Sequence, residues 1–106
     1  SNHGGRQLDA GSSTINSMIS LVKKYEKRTT IMIDSGLRSG VDVARVMASG
    51  AKFCFLGRTF MYGVGALGNN GALHTFEMLK KQLNQVMIQI GCEKTSELIN
   101  FINSKK

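Results

Sequence analysis

The stretch that most constrains the fold of this chain covers residues 31–43. It begins with an apolar, β-branched segment, passes through a turn that contains Gly36 and Gly40, and ends in an amphipathic segment. This order of residues predicts a buried strand, a glycine-rich turn and the first turn of a helix. Such a junction presents backbone N–H groups and the positive end of a helix dipole, so it favours a bound anion.

Two side chains in this turn support an anion site. Arg38 can add a charged, two-pronged donor. Asp34 stands at the end of the predicted strand and can hydrogen-bond beside the site. Glycine-rich turns are also common in α/β proteins that bind nothing there, and the turn alone leaves that alternative open.

A second segment repeats the same pattern. Gly57 and Arg58 follow another apolar segment, over residues 52–56, that reads as a strand. Phosphate sites in barrel proteins use the loops after two adjacent strands, so the repetition favours phosphate binding. The candidate phosphate ligands are Asp34, Gly36, Arg38, Gly57 and Arg58.

Apolar spacing along the chain predicts alternating helices and strands. A strand, a helix and a second strand in this order predict a βαβ unit of an α/β fold, with a right-handed crossover. The predicted elements are a helix after residues 12–14, strands over 29–33 and 52–56, a helix over 41–49, a helical turn over 59–63, a long helix capped by Asn70 that ends near Ile90, and a last helix over 94–103.

Two apolar surfaces are predicted to be covered. The second strand carries Phe53 and Phe55 on one face and Cys54 and Leu56 on the other, which is typical of a parallel strand covered on both sides. His74 is expected on the surface of the long helix. The inward positions predicted for that helix are Leu73, Phe76, Leu79, Leu83, Val86, Met87 and Ile90.

Length and charge limit the function. The chain has 106 residues and a formal net charge of +7, which allows one small domain with an anionic ligand, a nucleic acid or an acidic membrane surface as partner. The lysine pairs fall on predicted solvent-facing surfaces, and arginines are not interleaved with aromatic residues. A dedicated nucleic-acid module is therefore not expected.

Cysteine usage predicts neither a metal site nor a disulfide framework. Cys54 and Cys92 have no metal-ligand or CxxC spacing, so a reducing, cytoplasmic location is the expectation. No apolar run approaches the roughly 18–20 residues of a membrane span.

The first residues carry a candidate acid-binding pair. His3 and Arg6 are separated by two glycines, which lets both side chains converge on one small anion. Arginine can bind a carboxylate bidentately while histidine moves a nearby proton. An unstructured chain end is the alternative that position alone leaves open.

Three blocks, over residues 1–9, 34–43 and 50–63, together resemble the FMN-dependent α-hydroxy acid dehydrogenases and oxidases. This family includes L-lactate dehydrogenase, lactate oxidase, glycolate oxidase and mandelate dehydrogenase. The form Asp-Ser-Gly-x-Arg-x-Gly looks most like the L-lactate dehydrogenase branch. Two departures are Thr59, where relatives usually have proline, and Ser39, where many carry a second arginine.

The resemblance implies a role for each candidate. His3 matches the active-site base that takes a proton from the substrate hydroxyl or α-carbon, and Arg6 matches the arginine that clamps the substrate carboxylate. The phosphate of FMN is expected at two loops of the barrel. The implied ligands are Asp34, Gly36 and Arg38 after the seventh strand, and Gly57 and Arg58 after the eighth.

Length separates this chain from a whole enzyme of that family. A TIM (β/α)₈ barrel takes roughly 250 residues, so residues 1–106 resemble a single C-terminal segment with strands seven and eight and their helices. The implied function is that of the C-terminal fragment of an L-2-hydroxy acid dehydrogenase, which oxidises L-lactate to the 2-oxo acid. We expect the fragment to be inactive alone.

The same resemblance implies partners. The expected partner is the missing N-terminal barrel portion or a second copy, because a partial barrel leaves its inner strand face and its strand edges uncovered. For the parent enzyme, the resemblance also leaves open a peripheral position at the inner membrane. The alternative function is a non-catalytic phosphate-binding or self-associating half-barrel.

Overall fold

The computed structural model describes residues 14–101. The expectations for His3, for Arg6 and for Ile102 onward therefore lie outside the described residues. In chain order the elements are α1 (Thr14–Tyr25), β1 (Met32–Asp34), α2 (Gly40–Ala48), β2 (Phe53–Phe55), α3 (Arg58–Leu67), a 3-10 turn (Gly68–Asn70), α4 (Gly71–Ile90) and a second 3-10 segment (Thr95–Phe101).

The two strands form a parallel pair on either side of α2 in the sequence. Ile33 lies opposite Cys54, and Asp34 lies opposite Phe55. The predicted βαβ unit is therefore confirmed, although each strand is three residues long rather than five. Because both strands run the same way, the loops that follow them leave the sheet at the same edge.

One core cluster fixes the sheet against two helices. Met18 and Val22 of α1 are buried against Ile33 of β1 and Val46 of α2. Burying one such side chain contributes about 1.5–3 kcal/mol, so this cluster holds the strand ends in place. A second cluster joins Met87 of α4 to residues further along the chain, namely Cys92 and Leu98.

Helix α4 also supports the start of α2 through a close backbone contact. An added Cβ at Gly40 would collide with the backbone nitrogen of Leu83 and lie 2.6 Å from Cβ of Gln82. The Gly40 N–H donates to Oε1 of Gln82 at 2.8 Å. Glycine at this position therefore lets α4 fix the loop after β1.

Several predictions for the second half of the chain are wrong. The helical turn expected over 59–63 is a full helix that continues to Leu67, and Gly65 lies within it. The side chain of Asn70 makes no capping hydrogen bond. The last segment is a 3-10 helix over Thr95–Phe101 rather than the α-helix expected over 94–103, and its Leu98 is buried, with 1% exposed.

The apolar faces are only partly covered among the described residues, which contradicts the pattern-based prediction of a strand covered on both sides but agrees with the uncovered inner face expected of a partial barrel. Phe53 and Phe55 are 62% and 56% exposed, so β2 is covered on one face only. On α4, Leu79 and Met87 are buried as predicted, whereas Leu73, Phe76 and Ile90 are exposed. The physical reason for Phe53 and Phe55 is that this two-stranded sheet has no second layer on that face against which their side chains could pack. His74 is exposed, as predicted.

Candidate anion-binding site

The loops that follow β1 and β2 enclose a cavity of about 270 Å³. Residues 34–38 form one side of it, and residues 55–58 with Met61 form the other. All five residues selected from the sequence as phosphate ligands lie on its wall. The structure thus brings the two loops together, while the role of each residue toward a phosphate stays a prediction.

The loop after β1 turns sharply through two residues in the left-handed region. Ser35 has a φ of 82° and Gly36 has a φ of 78°. Glycine adopts this conformation at little cost, whereas a residue with a side chain costs roughly 1–2 kcal/mol there. The pair folds the chain back over the end of β1 and places Leu37 in the core.

The start of α2 already satisfies much of its own hydrogen bonding. Ser39 is the N-cap, and its Oγ accepts the Asp42 N–H at 3.2 Å. The Asp42 carboxylate accepts the Arg38 N–H at 2.9 Å, and Gly40 donates to Gln82. The prediction of free N–H groups at this junction is therefore wrong for Arg38, Gly40 and Asp42, whose donors are occupied within the chain.

The start of α3 is different. Gly57 occupies the N-cap position, no side chain caps the helix, and its first turn carries no acidic residue. The Gly57 carbonyl accepts the N–H groups of Phe60 and Met61, both at 3.1 Å. The positive end of this helix dipole therefore faces the cavity with no side-chain cap and no acidic residue in its own first turn.

A hydrogen bond from Thr59 ties the two loops together. The Thr59 hydroxyl donates to the Leu37 carbonyl at 2.8 Å, and Thr59 is buried. Nη1 of Arg38 donates to the same carbonyl at 3.1 Å. Sequence reasoning treated Thr59 only as a departure from proline; a proline there could not make this bond.

The charges around the cavity favour an anion. Arg38 and Arg58 line it together with a single carboxylate, that of Asp34. Within residues 14–101 neither arginine forms an ion pair, so their charges are available to a ligand. Gly36 and Gly57 also leave room, because an added Cβ on either would meet no atom within 4 Å.

Residues 14–101 contain no group of three His, Cys, Asp or Glu side chains close enough to hold a metal ion. Burial raises the pKa of the Cys54 thiol, which favours its protonated form. No helix within the same span has the length and apolarity needed to cross a membrane.

Comparison with known proteins identifies the family. The family model "FMN-dependent dehydrogenase" matches residues 1–103. The L-lactate dehydrogenase of Serratia proteamaculans is 38% identical over 98 residues, and the L-lactate oxidase of a Nostoc species is 33% identical over 98 residues. Each alignment covers 92% of this chain but only 26% and 27% of the respective relative.

A solved structure matches in the same way. A soluble mutant of the membrane-associated (S)-mandelate dehydrogenase from Pseudomonas putida superposes with a TM-score of 0.84 at 38% identity, covering 92% of this chain and 28% of that one. The structural neighbours are TIM-barrel enzymes, and this chain spans about a quarter of the length of its relatives, in their C-terminal part. The chain belongs to the family of FMN-dependent dehydrogenases.

Proposed function

We propose that this chain is the C-terminal part of an FMN-dependent L-2-hydroxy acid dehydrogenase and that its cavity holds the phosphate of FMN. The observation that carries this proposal is the meeting of two strand–glycine–arginine loops at one cavity, beside an uncapped helix start. In this assignment β1 and β2 are the seventh and eighth strands of the barrel, and residues 1–106 form one segment of it.

The residues present fit the phosphate end of the cofactor. Arg38 and Arg58 supply positive charge, and the open space beside Gly36 and Gly57 allows a phosphoryl group to approach the backbone. Asp34 would accept a hydrogen bond from the sugar-phosphate part. When bound, FMN accepts the two electrons that leave the substrate.

We assign the substrate chemistry to the N-terminal pair, which lies outside the described residues. Arg6 would clamp the substrate carboxylate, and His3 would take the proton from the hydroxyl or the α-carbon. L-Lactate is the proposed substrate because several relatives are L-lactate dehydrogenases or oxidases, and the product is then the 2-oxo acid.

The uncovered sheet face supports a role within a larger barrel. Met32, Phe53 and Phe55 are all more than half exposed, and the parallel pair has two open edges. We propose that the remaining barrel portion, or failing that a second copy of the chain, covers this face. The isolated chain should therefore lack activity. The comparisons do not favour the alternative of a non-catalytic module.

Complementation with the missing barrel portion tests the proposal. The chain is combined with the N-terminal portion of the Serratia proteamaculans L-lactate dehydrogenase, FMN is titrated by quenching of its fluorescence, and lactate oxidation is followed with a dye acceptor. We expect turnover in the mixture and in neither part alone, and we expect FMN to bind much more tightly to the mixture than to the isolated chain, which holds only the phosphate end. If the chain is a stable monomer and does not bind the N-terminal portion, the docking proposal is contradicted.

Two variants test the catalytic assignment in the same mixture. His3→Ala and Arg6→Ala should each abolish most turnover while FMN still binds. Lys81→Ala, at an exposed position on α4, is the matched control and should change neither quantity. Unchanged lactate oxidation in either of the first two variants would remove His3 or Arg6 from the site.

The remaining expectations stay predictions. A cytoplasmic location, membrane contact of the parent enzyme and the lack of nucleic-acid binding concern the whole protein. Binding of the chain to anionic vesicles and to duplex DNA at moderate salt would test the last two, and we expect weak, salt-sensitive binding at most, because the net charge of +7 is spread along the chain.

A further inference from the structure

Ser35, at the wall of the cavity, has two features that the fold alone does not explain. Among the described residues it is the one non-glycine residue with a positive φ. Its Oγ atom is inaccessible to solvent and has no hydrogen-bond partner within the described chain. Each feature costs stability, the first through crowding of Cβ and the second through the lost hydrogen bond to water.

A glycine at this position would avoid both costs. It would adopt the same φ easily and would bury no hydroxyl. The turn after β1 therefore needs the backbone conformation of residue 35 but not its side chain. A strained residue with an unpartnered polar group at a cavity wall is a reason to look for a ligand.

The position of Ser35 limits what that ligand is. Ser35 stands between Asp34 and Gly36 in the loop that faces Gly57 and Arg58 across the cavity. A rotation about its Cα–Cβ bond moves the hydroxyl without breaking any hydrogen bond, because Oγ has none to lose. The groups nearby carry net positive charge, so an anion is the partner that the surroundings favour.

We propose that Ser35 is a further phosphate ligand, whose hydroxyl donates a hydrogen bond to a phosphoryl oxygen in the cavity. This inference rests on the proposed function, since it requires a phosphate between the two loops. Ser35 adds a neutral donor on the β1 side, where several backbone N–H groups are already occupied. The ligand thus supplies the partner that the hydroxyl lacks in the free chain.

Titration of the 106-residue chain with three probes tests this inference. The ¹⁵N-labelled chain is titrated with inorganic phosphate, FMN and riboflavin, and the amide signals of Gly36, Gly57 and Arg58 are followed. We expect phosphate and FMN to shift these signals and riboflavin to leave them in place. Ser35→Ala should raise the apparent Kd for phosphate about tenfold, the loss expected for one hydrogen bond to a charged group.

Two further variants separate the hydroxyl from the backbone strain. Ser35→Gly should lose the same affinity while raising the Tm of the free chain, because it relieves the strain at residue 35. Ser49→Ala removes a hydroxyl that lies outside the cavity and donates to the Arg45 carbonyl, so phosphate affinity should stay unchanged.

Each contrary outcome has a distinct meaning. Unchanged phosphate affinity in Ser35→Ala would overturn the role of Ser35 and leave the proposed function standing. Restored affinity in Ser35→Gly would assign the loss in Ser35→Ala to strain and would also overturn it. If neither phosphate nor FMN shifts the wild-type signals, or riboflavin shifts them equally, both proposals fail.

Discussion

The two loops around the cavity share a sequence pattern but differ in whether their backbone N–H groups are hydrogen-bonded within the chain. At the loop after β1, side chains from the chain itself occupy the N–H groups of Arg38, Gly40 and Asp42. At the loop after β2, the helix start behind Gly57 has no cap. The same strand–glycine–arginine ending thus yields one internally braced loop and one open loop.

This difference indicates a separate role for each loop, although the strand–glycine–arginine pattern alone does not distinguish the two roles. The braced loop fixes the geometry of the cavity, because its hydrogen bonds reach α2 and α4. The open loop keeps its donors available, and its glycine stands beside empty space. We therefore expect substitutions in the first loop to affect folding more, and those in the second to affect anion binding more.

The largest effect is expected at the paired glycines. Gly40→Ala places a Cβ against the backbone of α4 and should lower the free energy of unfolding by about 2–3 kcal/mol. Gly57→Ala, the matched change in the open loop, should cost less than about 1 kcal/mol and instead weaken phosphate binding. Urea unfolding and phosphate titration of both variants measure the difference between the two loops. Equal losses of stability in the two variants would contradict it.

The two arginines of the cavity should differ in the same way, with Arg58 contributing more to phosphate binding than Arg38. Arg58→Ala should weaken phosphate binding by about 2 kcal/mol, because it removes a charge-assisted donor beside an uncapped helix start. Arg38→Ala should weaken it less, since the Arg38 guanidinium is already bonded to the Leu37 carbonyl. Calorimetric titration at two salt concentrations checks the order. A larger loss in Arg38→Ala would reverse the assignment of the open loop.

The hydrogen bond between the loops should have an intermediate effect. Thr59→Val keeps the shape of the side chain but removes the donor to the Leu37 carbonyl, so stability should fall by about 1–2 kcal/mol. Thr59→Ser keeps the hydroxyl and should retain most of that stability. Thermal unfolding of both variants tests this, and an equal decrease in both would point to packing rather than the hydrogen bond.

The smallest effect is expected at the cap of α2. Ser39→Ala removes the side-chain acceptor for the Asp42 N–H and should cost about 1 kcal/mol of stability. Ser20→Ala is the control, because its hydroxyl is exposed and bonds only the Ser17 carbonyl within α1. Circular dichroism melts compare the two. No difference between them would mean that the first loop is held without its cap.

The sequence was sufficient to predict the βαβ unit and the meeting of the two loops, because parallel strands end at one edge and the glycine–arginine pattern marks both ends. It could not predict which N–H groups remain free. Gln82 is distant from Gly40 in the sequence, and no local pattern pairs a glutamine on one helix with the start of another. Thr59 was missed as a tie between loops for the same reason.

The apolar pattern overpredicted burial on β2 and α4 for a different cause, and only the resemblance to a partial barrel predicted the uncovered face of β2. Apolar periodicity predicts which side chains are buried in the complete fold. It does not show whether residues 1–106 alone contain the elements that bury them. Phe53, Phe55 and Phe76 satisfy the pattern of buried positions and are nevertheless exposed. Such a pattern is typical of a strand and a helix inside a whole barrel, and this chain spans about a quarter of the length of its relatives.

The bond from Gly40 to Gln82 has a consequence for motion. The amide proton of Gly40 can exchange with solvent only when α2 and α4 part at this point, since the acceptor lies on the other helix. Its exchange rate in deuterated buffer therefore reports how often the two helices separate. A slow rate would mean that the cavity keeps its shape in the absence of ligand. A fast rate would mean that the cavity opens often and has to re-form when a ligand binds.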